Sequence, residues 1–257
     1  MSPQNQQPQL TESLQQLIAR TIALNPAGEG LGLIGGFRYR LLNGSARLST
    51  DIDYHWPGSL EDKRQELIAL FKRRLLPEAR RSFGLDGAIH LPGPEESPSV
   101  KTVEVAFFKT GESAGRIEIP VDITMIQCMD KPVARTRNGV VYLTVSDADM
   151  VESKVLSLLL RTFTAQRDLL DLFLFENTFK PDSPARLQTK LQNVGITRDA
   201  VESAIKKLAD NRIMHVKGLR QVIQSQLEES VRKTIEAGGG ADMVFDSAYN
   251  LVQRVLI

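Results

Sequence analysis

Two aspartates that lie two residues apart, Asp51 and Asp53, constrain the structure of this 257-residue chain more than any other feature. They stand in the run 47–54, with the sequence Arg-Leu-Ser-Thr-Asp-Ile-Asp-Tyr, which we interpret as a β-strand. Because successive side chains of a strand point to opposite faces, both carboxylates project from the same face, about 7 Å apart along the backbone. This arrangement suits a pair of magnesium ions, which lie about 3.5–4 Å apart in two-metal phosphoryl-transfer sites.

A glycine pair precedes these acids in the chain. The apolar run 31–34 predicts a short buried strand, and Gly35 and Gly36 follow it directly. Glycine lets backbone N–H groups approach a phosphate closely, above all where a helix begins at once. Phosphate-binding glycines followed by paired metal-binding acids predict transfer of a nucleotide from a nucleoside triphosphate. Each motif has an ordinary alternative, a solvated strand edge or turn for the acids and a simple turn for the glycines.

The pattern of apolar residues changes near residue 145. Before this point the apolar spacing predicts helices over 9–24, 37–42 and 60–83, the last of which Pro77 could interrupt. The predicted strands cover 31–34, 48–54, 101–108, 116–126 and 140–143, and glycines between the third and fourth favour a β-hairpin. From Ser146 onwards the spacing is helical. We therefore predict an α+β chain, with a mixed β-sheet domain flanked by helices over residues 1–145 and an all-α helical domain over residues 146–257.

Two acids on one strand require a third from a neighbouring strand to complete a two-metal site. Adjacent strands lie about 4.8 Å apart, so an acid that faces the same way can reach the same ion. Asp122 is the candidate, because a carboxylate between apolar strand residues needs a metal or another partner. Glu118 shares its face and competes with it, Glu104 is a more distant choice, and a salt bridge near a strand end is the ordinary alternative for Asp122. Pro120 predicts an edge strand or a bulge here.

The charged residues are unevenly distributed, although the formal net charge is only +1. No overall field therefore marks the chain as a nucleic-acid binder. Basic residues nevertheless concentrate in one segment, at Lys63, Arg64, Lys72, Arg73, Arg74, Arg80 and Arg81. We interpret the segment first as a solvated helix face, and alternatively as a path for an RNA backbone or another polyanion.

Cysteine content and hydropathy predict a cytoplasmic protein. Cys128 is the only cysteine, so no intramolecular disulfide can form, and its apolar neighbours predict that it is buried. The polar run 1–8 lacks the pattern of a secretory signal, and no apolar run is long enough to cross a bilayer. We therefore expect no membrane partner.

The motifs, taken in order, resemble those of the polymerase-beta-like nucleotidyltransferase superfamily. More narrowly, they resemble the AbiEii/AbiGii-type toxins of abortive-infection and toxin–antitoxin systems. The segments that carry this resemblance are Gly35-Gly36, 47–54, Val-Asp-Ile at 121–123, Glu-Ser-Lys at 152–154 and Arg-Asp-Leu-Leu-Asp-Leu at 167–172. They span about residues 31–176, and residues 177–257 carry no motif that we assign. The resemblance implies a nucleotidyltransferase-like sheet domain followed by helices.

The resemblance also implies a role for each residue of the first half. Gly35 and Gly36 would hold the triphosphate through backbone donors. Asp51 and Asp53 would bind magnesium, and Asp122 would complete the two-ion site.

In the second half, the resemblance implies that Lys154 contacts the nucleotide phosphates. Asp168 would act near the acceptor hydroxyl as a general base, and Arg47 would neutralise phosphate or brace the acids. One position departs from the family pattern: a small hydroxyl residue often follows the glycine pair, whereas this chain has Phe37. The next residue, Arg38, could supply a substitute charge.

Helix geometry supports part of this set independently. Lys154, Arg161 and Asp168 follow one another at intervals of seven residues. At about 100° per residue on a continuous helix they would lie within roughly 40° of one another. The segment 162–164 could break that helix. The ordinary alternatives are an exposed lysine at Lys154 and a surface ion pair of Arg167 with Asp171.

The sequence thus predicts a magnesium-dependent nucleotidyltransferase that moves a nucleoside monophosphate from an NTP to an acceptor hydroxyl. RNA, in particular tRNA, is the favoured acceptor, the toxin role follows from the resemblance, and an antitoxin protein is an expected partner. The alternatives are transfer to a protein or a small molecule, and a non-catalytic nucleotide-binding module with the same fold. The base of the NTP, the acceptor and the oligomeric state are left open.

Overall fold

The computed structural model describes residues 3–93, 97–111, 115–161 and 165–256. The described chain divides into two compact units. The first, here called the sheet unit, comprises the described residues within Met1–Ser45, Ser49–Ile126 and Pro132–Val145. The second, here called the helical unit, comprises those within Ala46–Leu48, Gln127–Lys131 and Ser146–Ile257. Two short segments of the first half of the sequence therefore belong to the helical unit.

The sheet unit contains a mixed sheet of seven strands. The strands are β1 (Gly32–Ile34), β2 (Ile52–His55), β3 (Asp86–His90), β4 (Val100–Phe108), β5 (Ile117–Thr124), β6 (Val133–Arg137) and β7 (Val140–Thr144). Their spatial order is β3-β4-β5-β2-β1-β7-β6. β2 runs parallel to β5 and β1 runs parallel to β7, while the other neighbours are antiparallel. The mixed sheet and the predicted hairpin of β4 and β5 are confirmed.

Four helices belong to the sheet unit. They are α1 (Pro3–Ala23), α2 (Gly35–Asn43), α3 (Leu60–Leu70) and α4 (Leu76–Phe83), with a π-helical turn at Phe71–Leu75 between the last two. The core joins apolar residues of α1 and α3 to one face of the sheet. Along β5, Ile117, Ile119, Val121 and Ile123 are buried, whereas the residues between them are not. The strand alternation therefore places the acids on the face opposite this core.

Four details of the sheet unit differ from the sequence predictions. β3 and β6 were not predicted, because both are edge strands with few buried residues and no apolar alternation. β2 begins at Ile52 rather than at residue 48, so Asp51 lies directly before the strand. The predicted helix 60–83 is found in three consecutive parts, and Pro77 occupies the first turn of α4, where its missing N–H is tolerated.

Pro120 does not mark an edge strand, so that prediction is wrong. β5 lies inside the sheet, between β4 and β2. Pro120 pairs with Glu104 of β4, while the pairing of β5 with β2 begins only at Val121. No neighbouring strand on the β2 side therefore requires the N–H that proline lacks.

The helical unit contains seven helices in its described residues. They are α5 (Asp147–Leu160), α6 (Gln166–Leu174), α7 (Ser183–Asn193), α8 (Arg198–Asp210), α9 (Arg212–Gln226), α10 (Glu229–Ala237) and α11 (Gly240–Leu256). They enclose an apolar core of their own. In the described ranges, no helix is both long enough and apolar enough to cross a bilayer. Cys128 is exposed, which contradicts its predicted burial, because the chain has left the sheet after Thr124.

A buried cluster of charges holds part of the helical unit together. Lys190 of α7 donates to Asp149 and to Glu152 of α5 at 2.6 Å each, and all three side chains are fully buried. Arg186 of α7 donates to the same two carboxylates at 2.8 Å each. Two backbone amides of the segment 127–131 also donate to Asp149, at 3.0 and 2.9 Å. The cluster thus fixes α7 and this segment to α5.

Candidate active site

The glycine pair forms the junction between β1 and α2. The helix begins at Gly35 directly after the strand, and the residue before it, Ile34, has an apolar side chain that cannot cap the helix. Gly35 has a φ of +74°, and a Cβ atom there would overlap the Asp53 carboxylate. Only glycine therefore allows the backbone to lie against Asp53. The first N–H groups of a helix have no partner within the helix, so this junction is suited to bind an anion.

Asp53 and Asp122 are direct neighbours on parallel strands. Asp53 of β2 is in register with Asp122 of β5, and both are half-buried. Thr102 of β4 is in register with Asp122 on its other side and donates a hydrogen bond to it at 2.6 Å. Asp51 precedes β2 and accepts a hydrogen bond from the Ser49 hydroxyl at 2.7 Å. The structure therefore brings Asp122 to the same face and level of the sheet as Asp53.

The carboxylate oxygens of the acids suit magnesium, but the acids do not form a compact group of three side chains. Within the described residues, no three His, Cys, Asp or Glu side chains are close enough together to hold a metal. Magnesium prefers carboxylate oxygens and usually binds one or two carboxylates together with substrate phosphates. Asp51, Asp53 and Asp122 are such donors, and Gly35 leaves no side chain between the helix N-terminus and Asp53. The three aspartates thus fit magnesium by the chemistry of their donor atoms.

Glu118 lies too far along β5 to share this position. It pairs with Ala106, is 50% exposed, and forms an ion pair with Arg116 at 2.6 Å. Four residues of strand separate it from Asp122, which corresponds to about 13 Å. Glu104 of β4 pairs with Pro120 of β5, two residues before Asp122. It therefore does not lie beside the pair of Asp53 and Asp122.

We expect Asp122→Asn and Glu118→Gln to affect transfer very differently. The first change removes a carboxylate beside Asp53 and should lower kcat/KM by about a hundredfold or more, as expected for a group at the reacting centre. The second should change it by less than about twofold, because Glu118 is paired at the surface. Steady-state rates at saturating magnesium measure both. A large loss in the Glu118 variant alone would overturn the register argument.

Lys154, Arg161 and Asp168 converge in the helical unit. The Lys154 ammonium contacts Asp168 at 2.9 Å and Asp171 at 3.1 Å, and is 13% exposed. The Arg161 guanidinium contacts Asp168 at 2.7 Å. A single continuous helix does not produce this arrangement, because α5 ends at Leu160 and α6 begins at Gln166. The break expected at 162–164 falls outside the described residues.

The electrostatics of this cluster keep Lys154 and Asp168 charged. Burial by itself would raise the pKa of Asp168, but Lys154 and Arg161 outweigh it and hold the pKa below its ordinary value. Burial would likewise lower the pKa of Lys154, but Asp168 and Asp171 raise it above its usual range. In this arrangement Asp168 is a weak base, and its contacts are those of a residue that holds Lys154 in place.

Arg47 also lies in this cluster. Its side chain is buried, and its Nε atom lies 2.5 Å from Asp171. A second nitrogen donates to the Gln226 side chain at 3.1 Å. Its guanidinium is thus directed at Asp171 within the helical unit. Asp171, to which sequence analysis assigned no role beyond a surface ion pair, is buried and joins Lys154 to Arg47.

Phe37 and Arg38, where the sequence departs from the family pattern, both lie inside the sheet unit. Phe37 is part of the core of the sheet unit. Arg38 is fully buried and donates to the Thr144 hydroxyl at 3.1 Å and to Asn43 at 2.8 Å. Arg38 is therefore directed into the fold of the sheet unit, and we assign it no role toward phosphate.

Similarity to known proteins lies in the three-dimensional structure. No protein-family model and no curated protein matches the sequence. A protein named "putative nucleotidyltransferase" from H. pylori matches with a TM-score of 0.58 and 17% identity, over 99% of this chain and 96% of the other. JHP933 from Helicobacter pylori matches with a TM-score of 0.53 and 16% identity, over 99% and 93% of the two chains. MenT4, a nucleotidyltransferase toxin from Mycobacterium tuberculosis, matches with a TM-score of 0.52 and 15% identity, over 97% and 87%.

The chain has the nucleotidyltransferase fold. At this level the resemblance inferred from the sequence motifs is confirmed, and the match extends over nearly the whole chain, including residues 177–257. Within this fold, sequence analysis missed Thr102. The signal available was its parity with Glu104 on β4, which places both on the face that carries the acids.

Proposed function

We propose that this protein is a magnesium-dependent nucleotidyltransferase that moves a nucleoside monophosphate from an NTP to an acceptor hydroxyl. One observation carries the proposal: the start of α2 lies against Asp53, and Asp53 is in register with Asp122. This juxtaposes an anion-binding helix N-terminus with a pair of metal-binding acids. A non-catalytic binding module would not need both acids, because half-buried carboxylates on neighbouring strands repel each other.

The residues of the sheet unit would divide the work between binding and charge neutralisation. The backbone donors at Gly35 and Gly36 bind triphosphate oxygens. Asp51, Asp53 and Asp122 would hold magnesium, and a bound magnesium would supply positive charge to the triphosphate and to the acceptor hydroxyl. In the reaction, the acceptor oxygen forms a bond to the α-phosphorus, the bond from this phosphorus to the bridging oxygen breaks, and pyrophosphate leaves. The hydroxyl proton passes to solvent or to a nearby base.

Lys154 would bind phosphate and Asp168 would position it. The raised pKa of Lys154 keeps its ammonium charged across the physiological pH range. The three cations of the cluster, Arg47, Lys154 and Arg161, exceed its two carboxylates by one positive charge. An excess of positive charge around a lysine ammonium fits a phosphate ligand. Within this proposal, Asp168 orients Lys154 instead of acting as the general base that the resemblance suggested.

Substitutions at Lys154 and Asp168 are expected to separate these roles. Lys154→Ala should raise the KM for the NTP more than it lowers kcat, because it removes a contact made before the chemical step. Asp168→Asn should raise the same KM, since the ammonium is then less well held. Loss of a general base would instead lower kcat by about 10²–10⁴-fold with the KM unchanged. Initial rates over a range of NTP concentrations distinguish the two outcomes, and a large drop in kcat alone would restore the general-base role.

We further propose that the acceptor is RNA and that the protein is a toxin of the cytoplasm, neutralised by an antitoxin protein. MenT4, which shares the fold, is named a nucleotidyltransferase toxin. Incubation with each labelled NTP and a total cell extract should place the label in RNA. Expression in a bacterial host should slow growth, and an Asp53→Ala version at equal protein level should not. Label in protein or in small molecules would instead favour the alternative acceptors.

A further inference from the structure

A basic groove lies in the sheet unit, away from the residues assigned above. Its walls are the end of α1 on one side and the π-helical turn with α4 on the other, and its volume is about 420 Å³. It is lined by Leu17, Arg20, Thr21, Leu24, Asn25, Arg73, Arg74, Pro77, Glu78 and Arg81. Four guanidinium groups thus face a single carboxylate. The excess of three positive charges is notable in a chain whose net charge is +1.

Three of the four guanidinium groups form no ion pair among the described residues. Arg81 pairs with Glu78, whose other oxygen accepts a hydrogen bond from Ser82. Arg20, Arg73 and Arg74 are exposed and form no ion pair with any residue that the structure describes. Like charges held close together repel one another, so an anionic ligand would stabilise the groove.

The π-helical turn determines how these arginines are presented. Phe71 and Leu75 at the two ends of the turn are buried in the core, which leaves the three residues between them, including Arg73 and Arg74, facing solvent. Ion pairs divide the basic segment noted in the sequence. Lys63 and Arg64 are paired within their own helix with Glu66 and Glu61, so they do not contribute to the groove.

We propose that this groove binds the phosphate backbone of the acceptor RNA. Guanidinium groups bind phosphate oxygens through two parallel hydrogen bonds, and several of them along an open groove fit a repeating polyanion. The groove is lined by arginines of separate elements, and Lys72, next to Arg73 in the chain, is also exposed. The choice of RNA among polyanions rests on the function proposed above, whereas the binding itself does not depend on catalysis.

The groove is distinct from the acids in the sheet unit. Its walls are helices that pack on the core face of the sheet, while Asp53 and Asp122 occupy the opposite face. Contacts in the groove therefore position RNA without touching the reacting atoms. Contacts to the phosphate backbone of RNA strengthen binding without selecting a base sequence, and they make the affinity dependent on salt.

The test is binding of fluorescently labelled bulk tRNA to the full-length protein, with EDTA present and no NTP. Arg73→Gln combined with Arg74→Gln should weaken binding at least about tenfold and reduce the slope of log K against log salt by about two. The matched control is Lys206→Gln combined with Lys207→Gln on α8. It removes the same charge from two exposed residues without ion pairs to described residues, and should bind as the wild type does.

Transfer assays separate this proposal from the proposed function. The double arginine variant should raise the KM for RNA and leave the KM for the NTP unchanged. If the wild type labels RNA but the arginine variant binds RNA as tightly as the wild type does, the groove proposal is wrong. The proposed function is not affected by this outcome. Equal losses in the arginine variant and its control would show unspecific attraction and would also overturn it. Binding of the wild type to anionic lipid vesicles but not to tRNA would overturn it in favour of a membrane surface.

Discussion

Asp53→Asn is expected to reduce nucleotidyl transfer to the background rate while the protein remains folded. The substitution keeps the size of the side chain but removes the charge beside the start of α2 and beside Asp122. An amide is a poor ligand for magnesium compared with a carboxylate, so the metal site would be lost. The fold loses the attraction between a carboxylate and a helix N-terminus, typically about 0.3–1 kcal/mol. Activity at saturating NTP and the thermal midpoint measure the two effects.

The matched control for this prediction is Glu104→Gln. Glu104 is a half-buried acid on the same face of the sheet, but it pairs with Pro120 instead of lying opposite β2. Its substitution should change the rate by less than about threefold, as is usual for an acid outside the reacting centre. If Asp53→Asn retained a rate within tenfold of the wild type, the acid pair would not be the catalytic centre.

Lys190→Ala is expected to destabilise the helical unit severely. The substitution leaves Asp149 and Glu152 buried, with Arg186 as the one remaining cation that contacts both. Removal of one partner from a buried ion pair typically costs about 3–5 kcal/mol, because the remaining charge is left uncompensated. Urea denaturation followed by helical circular dichroism should show a large shift of the midpoint. Lys233→Ala, which breaks an exposed pair with Glu229, should show none.

The same cluster predicts a loss of stability in acid. Burial alone would raise the pKa of Asp149, but Lys190 and two backbone amides outweigh it and lower the pKa below its ordinary value. The carboxylate therefore stabilises the fold above the ordinary pKa of an unfolded aspartate. This contribution decreases as the pH falls through the lowered pKa of the folded state.

The sequence predicted those features that depend on residues close together in the chain. Strand alternation predicted which residues of β2 and of β5 share a face with Asp53 and with Asp122, and the glycine pair marked the junction where α2 begins. Sequence did not provide their register, because β2 and β5 are parallel strands brought together by tertiary structure. Edge strands such as β6 (Val133–Arg137) were not predicted, because they bury too few residues to show an alternation of apolar and polar side chains.

Buried charges were the least predictable part. Glu152 and Lys190 lie at helix positions where a charged residue usually indicates a solvated face, and only the packing of α7 on α5 shows that they neutralise each other. The convergence of Lys154 with Asp168 was expected on a continuous helix and arises instead from two helices. Periodicity identified the residues that meet, but it gave the wrong reason for their meeting.

The most direct test of the account compares NTP labelled at the α-phosphate with NTP labelled at the γ-phosphate. Both are incubated with the wild type, magnesium and the acceptor fraction that receives label. Nucleotidyl transfer predicts that the α-label enters the acceptor, that the γ-label leaves as pyrophosphate, and that Asp53→Asn abolishes both. Transfer of the γ-label to the acceptor, or equal labelling by the Asp53→Asn variant, would contradict the account.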